Sequence, residues 1–537
     1  MGYAELGKAL VAATRPVSVA LPFFMAPNGY LALVLHAHLP YVRHPEYEEF
    51  LEEDWLYEAI VETYLPLLEV LHGLADDGVD FQLTMSLTPT LCHMLRDPLL
   101  QSRTTRYLER SVALAEREVA RTQGQGQLAD IARFYHDRLT RLHAAWEKRW
   151  KRDLVGAFAQ LMERGVLEII TCAATHGFLP LMENFPEAVR AQILIARDDY
   201  RATFGRDPRG IWLPECAYVA SLDTILAEAN IRWFIIDAHG LMFGTPRPRY
   251  AIYTPCFTSA GPAVFGRDRD SSRQLWSAEE GYPGDPAYRD FYRDIGFDLP
   301  MEYLHETLPP EWARKFTGLK YHRITGRSQE KGLYNRGWAM GAADSHANHF
   351  MESRRDQVAN LRGHMEIDPI VVSPFDAELF GHWWFEGPEF LNLFIRKSVF
   401  DQSAFSFTTP TRYLEAHETH QLLMPSPSSW GHKGYWEVWL DQSNGWIYPH
   451  LHTAARRMTE MARAHRDTKA ELLDRALRQM ARELLLAQSS DWAFLMKTGT
   501  ATSYAGKRTR DHILRFTRLY DQVRAEDVDP ARSVPAG

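Results

Sequence analysis

The chain has 537 residues, more than one ordinary core organises and enough for a large barrel with smaller units attached. Hydrophobic residues make up 45% and charged residues 24%, the balance of a soluble globular protein, and no uninterrupted apolar run is long enough to span a membrane. The net charge of −9 gives a nucleic-acid partner no bulk electrostatic support.

The first 24 residues carry Lys8 and scattered apolar residues, but Arg15 and Pro16 interrupt what would be the apolar region of a signal peptide. They read either as a loose extension or as lying upstream of a true start at Met25, where "MAPNGYLALVLHAHLP" opens a strand pattern. Seven short apolar runs then recur, at 30–38, 81–89, 167–178, 210–218, 231–240, 263–268 and 369–378. Most are apolar throughout rather than alternating, the mark of parallel strands covered on both faces. Amphipathic helical stretches such as 56–74 and 185–204 lie between many of them. That alternation predicts an α/β fold with a parallel sheet, and seven strands favour a barrel.

A helical insert is expected at about residues 95–165, where Ile131, Phe134, Tyr135, Leu139, Leu142 and Trp146 follow helical spacing after a bend at Gly124 and Gly126. After residue 400 the pattern changes, and from Tyr448 it is helical, most clearly in "ELLDRALRQMARELLLAQSSDW". The expected organisation is therefore an extension (1–24), a catalytic barrel with its insert (25–400) and a C-terminal helical domain (401–537). The cysteines Cys92, Cys172, Cys216 and Cys256 form no C-x-x-C pair, which predicts free thiols and a reducing, cytoplasmic compartment.

In parallel barrels the reactive groups sit at the C-terminal ends of the strands. Those ends carry His36, His38, Thr175, His176, Glu215, Asp237, His239, Arg267, Asp268 and Asp376. Two carboxylates on separate strand ends suit cleavage of a glycosidic bond, one attacking the anomeric carbon and the other protonating the leaving oxygen. Glu215 in "WLPECAY" and Asp376 in "SPFDAE" each follow an apolar strand with a proline nearby. Either alone would as readily cap a helix or pair with a cation; together, among aromatic residues, they point to catalysis.

Tryptophan offers a rigid apolar face to the C–H side of a sugar ring. Trp383 and Trp384 follow the second acid, and Trp430, Trp436, Trp439 and Trp446 crowd the stretch 428–446. At least half of these are expected to be core residues, and Trp430, between Ser429 and Gly431, is the best sugar platform. His36 and His38 alternate on one strand, share a face, and could hold a metal with His176, Asp237 or His239. Histidine is also a natural donor to sugar hydroxyls, and that reading is preferred.

Five motifs in order, "HAHLP", "THGFLP", "WLPECAY", "SPFDAELFGHWW" and "SSDWAFLMKTG", resemble glycoside hydrolase family 57 and within it the 1,4-α-glucan branching group. The resemblance runs from about Asn28 to Tyr520. It implies an incomplete (β/α)7 barrel, a helical insert and a C-terminal helical domain closing over the cleft. It implies Glu215 as nucleophile, Asp376 as general acid/base, an α-glucan substrate, and no metal or organic cofactor. It suggests sugar contacts from His38, Trp430 and Asp491, to which His36, His176 and Trp439 are added from the rim and the tryptophan cluster. Branching members carry a tyrosine on a mobile loop and a tryptophan after the "YRDIG" stretch; the corresponding slots hold Phe265 and Phe297, which puts the preference for transfer over hydrolysis in question. The rival activities are a 4-α-glucanotransferase or α-amylase of the same family, and, more distantly, a metal-dependent polysaccharide deacetylase.

Overall fold

The computed structural model describes residues 28–276, 280–308, 314–326, 328 and 330–528; the expected extension at 1–24 lies outside them. All seven apolar runs form strands: β1 (Gly29–Ala37), β2 (Leu83–Leu87), β3 (Leu167–Cys172), β4 (Gly210–Trp212), β5 (Trp233–Ile236), β7 (Ala263–Gly266) and β8 (Ile370–Asp376). Two shorter ones, β6 (Cys256–Phe257) and β9 (Phe405–Phe407), carry too little pattern to be read in advance.

The sheet order is β6-β7-β5-β4-β3-β2-β1-β8, with β9 also paired to β1 and only the β6–β7 pair antiparallel. β7 and β8 form no ladder. Instead the Asp268 N–H donates to the Val372 carbonyl at 2.8 Å, and the Ile370 N–H to the Tyr253 carbonyl at 2.9 Å. The barrel is thus curled but left incomplete at this seam.

Strand periodicity decides which side chains enter the barrel. Leu31, Leu33 and Leu35 of β1 pack outward under the helices. Ala32 and Val34 point inward, among Ile170, Cys172, Trp212, Ile235, Phe265 and Val372. The same inward face continues to His36 at the open end. Apolar filling below and polar groups above are one period-two pattern running up one strand.

The insert between β2 and β3 forms helices Pro89–Arg96, Pro98–Arg121, Gln127–Ala144 and Leu154–Glu163. Asp97 ends the first and caps the second by accepting the Leu100 N–H at 3.0 Å, with Pro98 in the first helical turn. Gly124 (φ 78°) and Gly126 (φ 57°) make the bend before the third, a backbone that favours glycine. The β7–β8 connection forms a second insert, with a long helix Arg336–Arg362, that the apolar pattern did not announce. It docks on the first through Tyr303 and Tyr321, whose hydroxyls donate to Glu118 at 2.7 and 2.8 Å.

The boundary expected at residue 401 does not hold as drawn. Residues 401–446 stay on the barrel: β9 joins β1, and Leu422, Met424 and Ser428 bridge to Phe257, Thr245 and Tyr218. Pro425 and Pro427 keep this stretch out of a helix. The helical unit proper comprises Ile447–Ala464, Glu471–Ala487, Ser490–Thr498 and Thr502–Arg524. Its Trp492 and Ala493 belong to the main core, so it is welded to the barrel rather than tethered to it.

Candidate active site

After β4 the chain turns through Leu213 and Pro214 and sets Glu215 at φ 63°, ψ 21°, with Cys216 also at positive φ. Left-handed backbone in a non-glycine residue costs about 1–3 kcal/mol and persists only where its surroundings impose it. Here the Cys216 N–H donates to the Leu213 carbonyl at 2.8 Å and the Trp430 N–H to the Glu215 carbonyl at 3.0 Å. The kink aims the carboxylate into the barrel mouth. Its Oε2 accepts from the Trp430 indole N–H at 2.9 Å and its Oε1 from the Ser490 hydroxyl at 2.9 Å. Burial raises its pKa, and these two hydrogen bonds oppose the rise.

Asp376 ends β8, directly opposite His36 in the β1–β8 register. Among the described residues no hydrogen bond reaches its carboxyl group. Burial, then the neighbouring Glu378 and Glu215, push its pKa well above the carboxylate range, with Arg267 a partial offset. Glu378 is also buried; it accepts from the Tyr64 hydroxyl and from the His38 N–H at 3.2 Å. Burial pushes its pKa up to about 7.

Three histidines pack beside Glu215. The His38 and His176 rings stack at 3.8 Å between centroids, and His36 stacks on Trp212 at 4.6 Å. His36 Nε2 lies 3.0 Å from His176 Nε2, and His176 Nδ1 lies 2.8 Å from Ser490 Oγ. His38 uses Nδ1 on the Thr88 hydroxyl at 3.1 Å and Nε2 on Asp491 at 3.0 Å. Burial would lower the pKa of His38, but Asp491, Glu378 and Glu215 raise it. Burial and the neighbouring histidines hold His36 and His176 well below the usual range. Two sets could bring metal-ligating atoms within 4.8 Å of one another, His36–Cys172–His176 and His38–His176–Asp491. In both, every histidine ring nitrogen already has a hydrogen-bond partner. Asp237 and His239 stand apart from these sets and bond to each other at 2.9 Å.

The profile described as glycosyl hydrolase family 57 matches residues 32–426, and one described as 1,4-alpha-glucan branching enzyme, C-terminal, matches 450–533. The chain belongs to glycosyl hydrolase family 57. It is 33% identical to a 1,4-alpha-glucan branching enzyme of Thermococcus kodakarensis, over 92% of this chain and 74% of that protein. A probable 1,4-alpha-glucan branching enzyme of Mycobacterium tuberculosis is 29% identical over 95% of both chains. Among solved structures, the α-amylase AmyC of Thermotoga maritima aligns with TM-score 0.88 and 43% identity, over 94% of this chain and 95% of that one. The family 57 branching enzyme of Pyrococcus horikoshii aligns with TM-score 0.84 and 34% identity, over 94% and 93%.

Among the candidate site residues, Glu215, His36, His38, His176, Trp430 and Asp491 form one hydrogen-bonded and stacked group through Ser490, and Asp376 ends β8 opposite His36. Three residues expected at the site do not join it. Phe265 is no loop residue: it lies in β7, paired with Ile235, and its buried ring packs on Trp233 inside the barrel. Trp439 is buried and stacks on Phe178 at 4.5 Å, a core contact. Phe297 stands half-exposed on the one-turn helix Ile295–Asp298, against Phe316. Ser490 and Tyr64 are the partners that sequence reasoning passed over. For Ser490 a signal was present, since it sits in the same "SSDW" motif from which Asp491 was taken.

Proposed function

We propose that this family 57 enzyme is a retaining α-glucan branching enzyme. Glu215 attacks C1 of an α-1,4-linked glucan while the Asp376 carboxyl protonates the departing chain. Asp376 then takes the proton of an acceptor 6-hydroxyl, which attacks the glycosyl-enzyme to form an α-1,6 branch. The observation that carries this reading is the unequal treatment of the two buried carboxyls. Glu215 is stabilised as an anion by two donors, and Asp376 is left to like charges that favour its protonated form.

The branching relatives and the branching-type C-terminal match support transfer over simple hydrolysis. Transfer also needs an acceptor held against water, and the C-terminal unit reaches the nucleophile itself through Ser490. The histidines and Asp491 are assigned to sugar hydroxyls or to holding Glu215, with no metal or cofactor in the reaction. The likeness to AmyC favours a second reading, net hydrolysis of the same bond. Proton NMR of amylose after incubation decides between them. New α-1,6 anomeric signals establish branching; growth of reducing ends without them establishes an amylase.

Among the described residues no helix is long and apolar enough to cross a membrane, and all four cysteines are buried and free. The free thiols suit a reducing compartment such as the cytoplasm, and branching activity would place the enzyme in the synthesis of glycogen or a related polymer.

A further inference from the structure

Ser490, the first residue of helix Ser490–Thr498, stands between a carboxylate and an imidazole, 2.9 Å from Glu215 Oε1 and 2.8 Å from His176 Nδ1. A hydroxyl has a single proton to give. An ionised carboxylate only accepts, so that proton goes to Glu215, and Ser490 Oγ must accept from a protonated His176 Nδ1. A neutral His176 then has a bare Nε2. Its partner at 3.0 Å, His36 Nε2, must carry the hydrogen. His36 Nδ1 is bare in turn and accepts the Ser86 hydroxyl at 3.2 Å.

Each link is thereby directed one way, from Ser86 through His36, His176 and Ser490 to Glu215. All four relay residues are buried. His176 also sits at φ 57°, a strained backbone that presents its ring to both neighbours. Neutral rings are what burial and mutual repulsion dictate for His36 and His176.

We propose that Ser490 is a positioning residue, oriented by the Ser86–His36–His176 relay, that holds Glu215 ionised and aimed. Docking of the C-terminal helical unit therefore completes the nucleophile. A proton on Glu215 would weaken the Ser490 and Trp430 hydrogen bonds, which are stronger to the anion, so the directed relay resists the protonation that burial encourages. The inference rests on Glu215 being the nucleophile.

The test is the pH dependence of kcat/KM on amylose for Ser490→Ala, Ser490→Thr, Ser86→Ala and Glu215→Gln, each checked by thermal melting. Ser490→Ala is expected to lower kcat about tenfold with KM within about twofold, and to move the acid limb up by about one pH unit. Ser490→Thr restores both, and Ser86→Ala moves the limb in the same direction by less. An acid limb unmoved in Ser490→Ala, or a loss that threonine does not rescue, overturns the proposal. If Ser490→Ala does not fold, Ser86→Ala carries the test from inside the barrel, and an unmoved limb there overturns it equally. Turnover retained in Glu215→Gln would instead remove the nucleophile assignment; an inactive Glu215→Gln beside an unmoved Ser490→Ala limb removes the relay alone.

Discussion

Glu215 and Asp376 sit at strand ends of one barrel mouth, both buried, and burial pushes both pKa values up. Glu215 receives an indole N–H and a hydroxyl, whereas Asp376 receives no hydrogen bond among the described residues and faces Glu378 and Glu215 instead. Hydrogen bonds to the charged form hold a carboxyl ionised, and like charges hold it protonated. The difference teaches that burial alone assigns no role. Roles come from what the surrounding elements aim at each group, and here those donors come from residues more than two hundred positions away in sequence.

The largest effects come from removing either carboxylate. Glu215→Gln nearly matches the side chain in shape but cannot attack, and should lower kcat by about 10⁴-fold or more while glucan binding and the melting temperature stay close to wild type. Asp376→Asn should lose about 10²–10⁴-fold on polysaccharide, and much less on an aryl glucoside whose leaving group needs no proton. Added azide sharpens the contrast: it should give a glycosyl azide of retained configuration from Asp376→Asn and of inverted configuration from Glu215→Gln. If Asp376→Asn keeps near-wild-type turnover, Glu378 becomes the better acid.

Trp430→Phe breaks the comparison more gently. It removes one donor to Glu215 but keeps a ring against Trp212, 5.1 Å away in the native protein. Because a nucleophile serves transfer and hydrolysis alike, both should fall together by about tenfold if Glu215 has that role, with the ratio of α-1,6 linkages to reducing ends unchanged. Trp430→Ala also removes the ring. A ratio that drops in Ala but not in Phe would make the ring an acceptor platform; an equal ratio in both would make it a support for Glu215 only.

The strands and the rim were legible in the sequence because parallel strands buried on both faces leave unbroken apolar runs, and their polar ends are conspicuous. Glu215, Asp376 and the histidines could be placed at the rim on that ground. Phe265 was misplaced because "AVFGRD" turns polar one residue after the strand ends, so a barrel-filling ring reads like a loop residue. Trp439 gave no sign of its burial against Phe178, which is a tertiary fact. A serine that begins a helix reads as a cap, so beyond its place in the "SSDW" motif nothing local marks Ser490 as the partner of a carboxylate 275 positions earlier. The second insert is mostly irregular before its long helix and offers no period to read.

Glu378 links the comparison to pH. Its pKa in the folded protein, raised from 4.5 to about 7, means that the fold favours the protonated form. Its stabilising contribution is therefore fully present below about pH 4.5 and is lost as the pH climbs through about 7. The stability of Glu378→Gln should fall less steeply than wild type over that window, the difference growing to roughly 3 kcal/mol by about pH 7. Removing this charge also relieves a group that raises the Asp376 pKa, so the alkaline limb of kcat/KM should move to lower pH. An alkaline limb that stays in place would mean that Asp376 is not the group titrating there.

The smallest expected effect is that of a chelator. A metal at His36, Cys172 and His176, or at His38, His176 and Asp491, would need lone pairs that now take part in hydrogen bonds. In the first set it would have to part His36 Nε2 from His176 Nε2, now 3.0 Å apart, and so cut the relay to Glu215. In the second it would displace Asp491 from His38, the contact that offsets the burial of that ring. Either change would leave Ser490 and Glu215 less constrained, opposite to what a nucleophile needs. Prolonged EDTA treatment should therefore leave the rate, the acid limb and the melting temperature unchanged, and added Zn²⁺ should inhibit if it does anything. Activity lost to EDTA and regained with Zn²⁺ or Mn²⁺ would reassign the histidines as ligands and bring the deacetylase-like alternative forward.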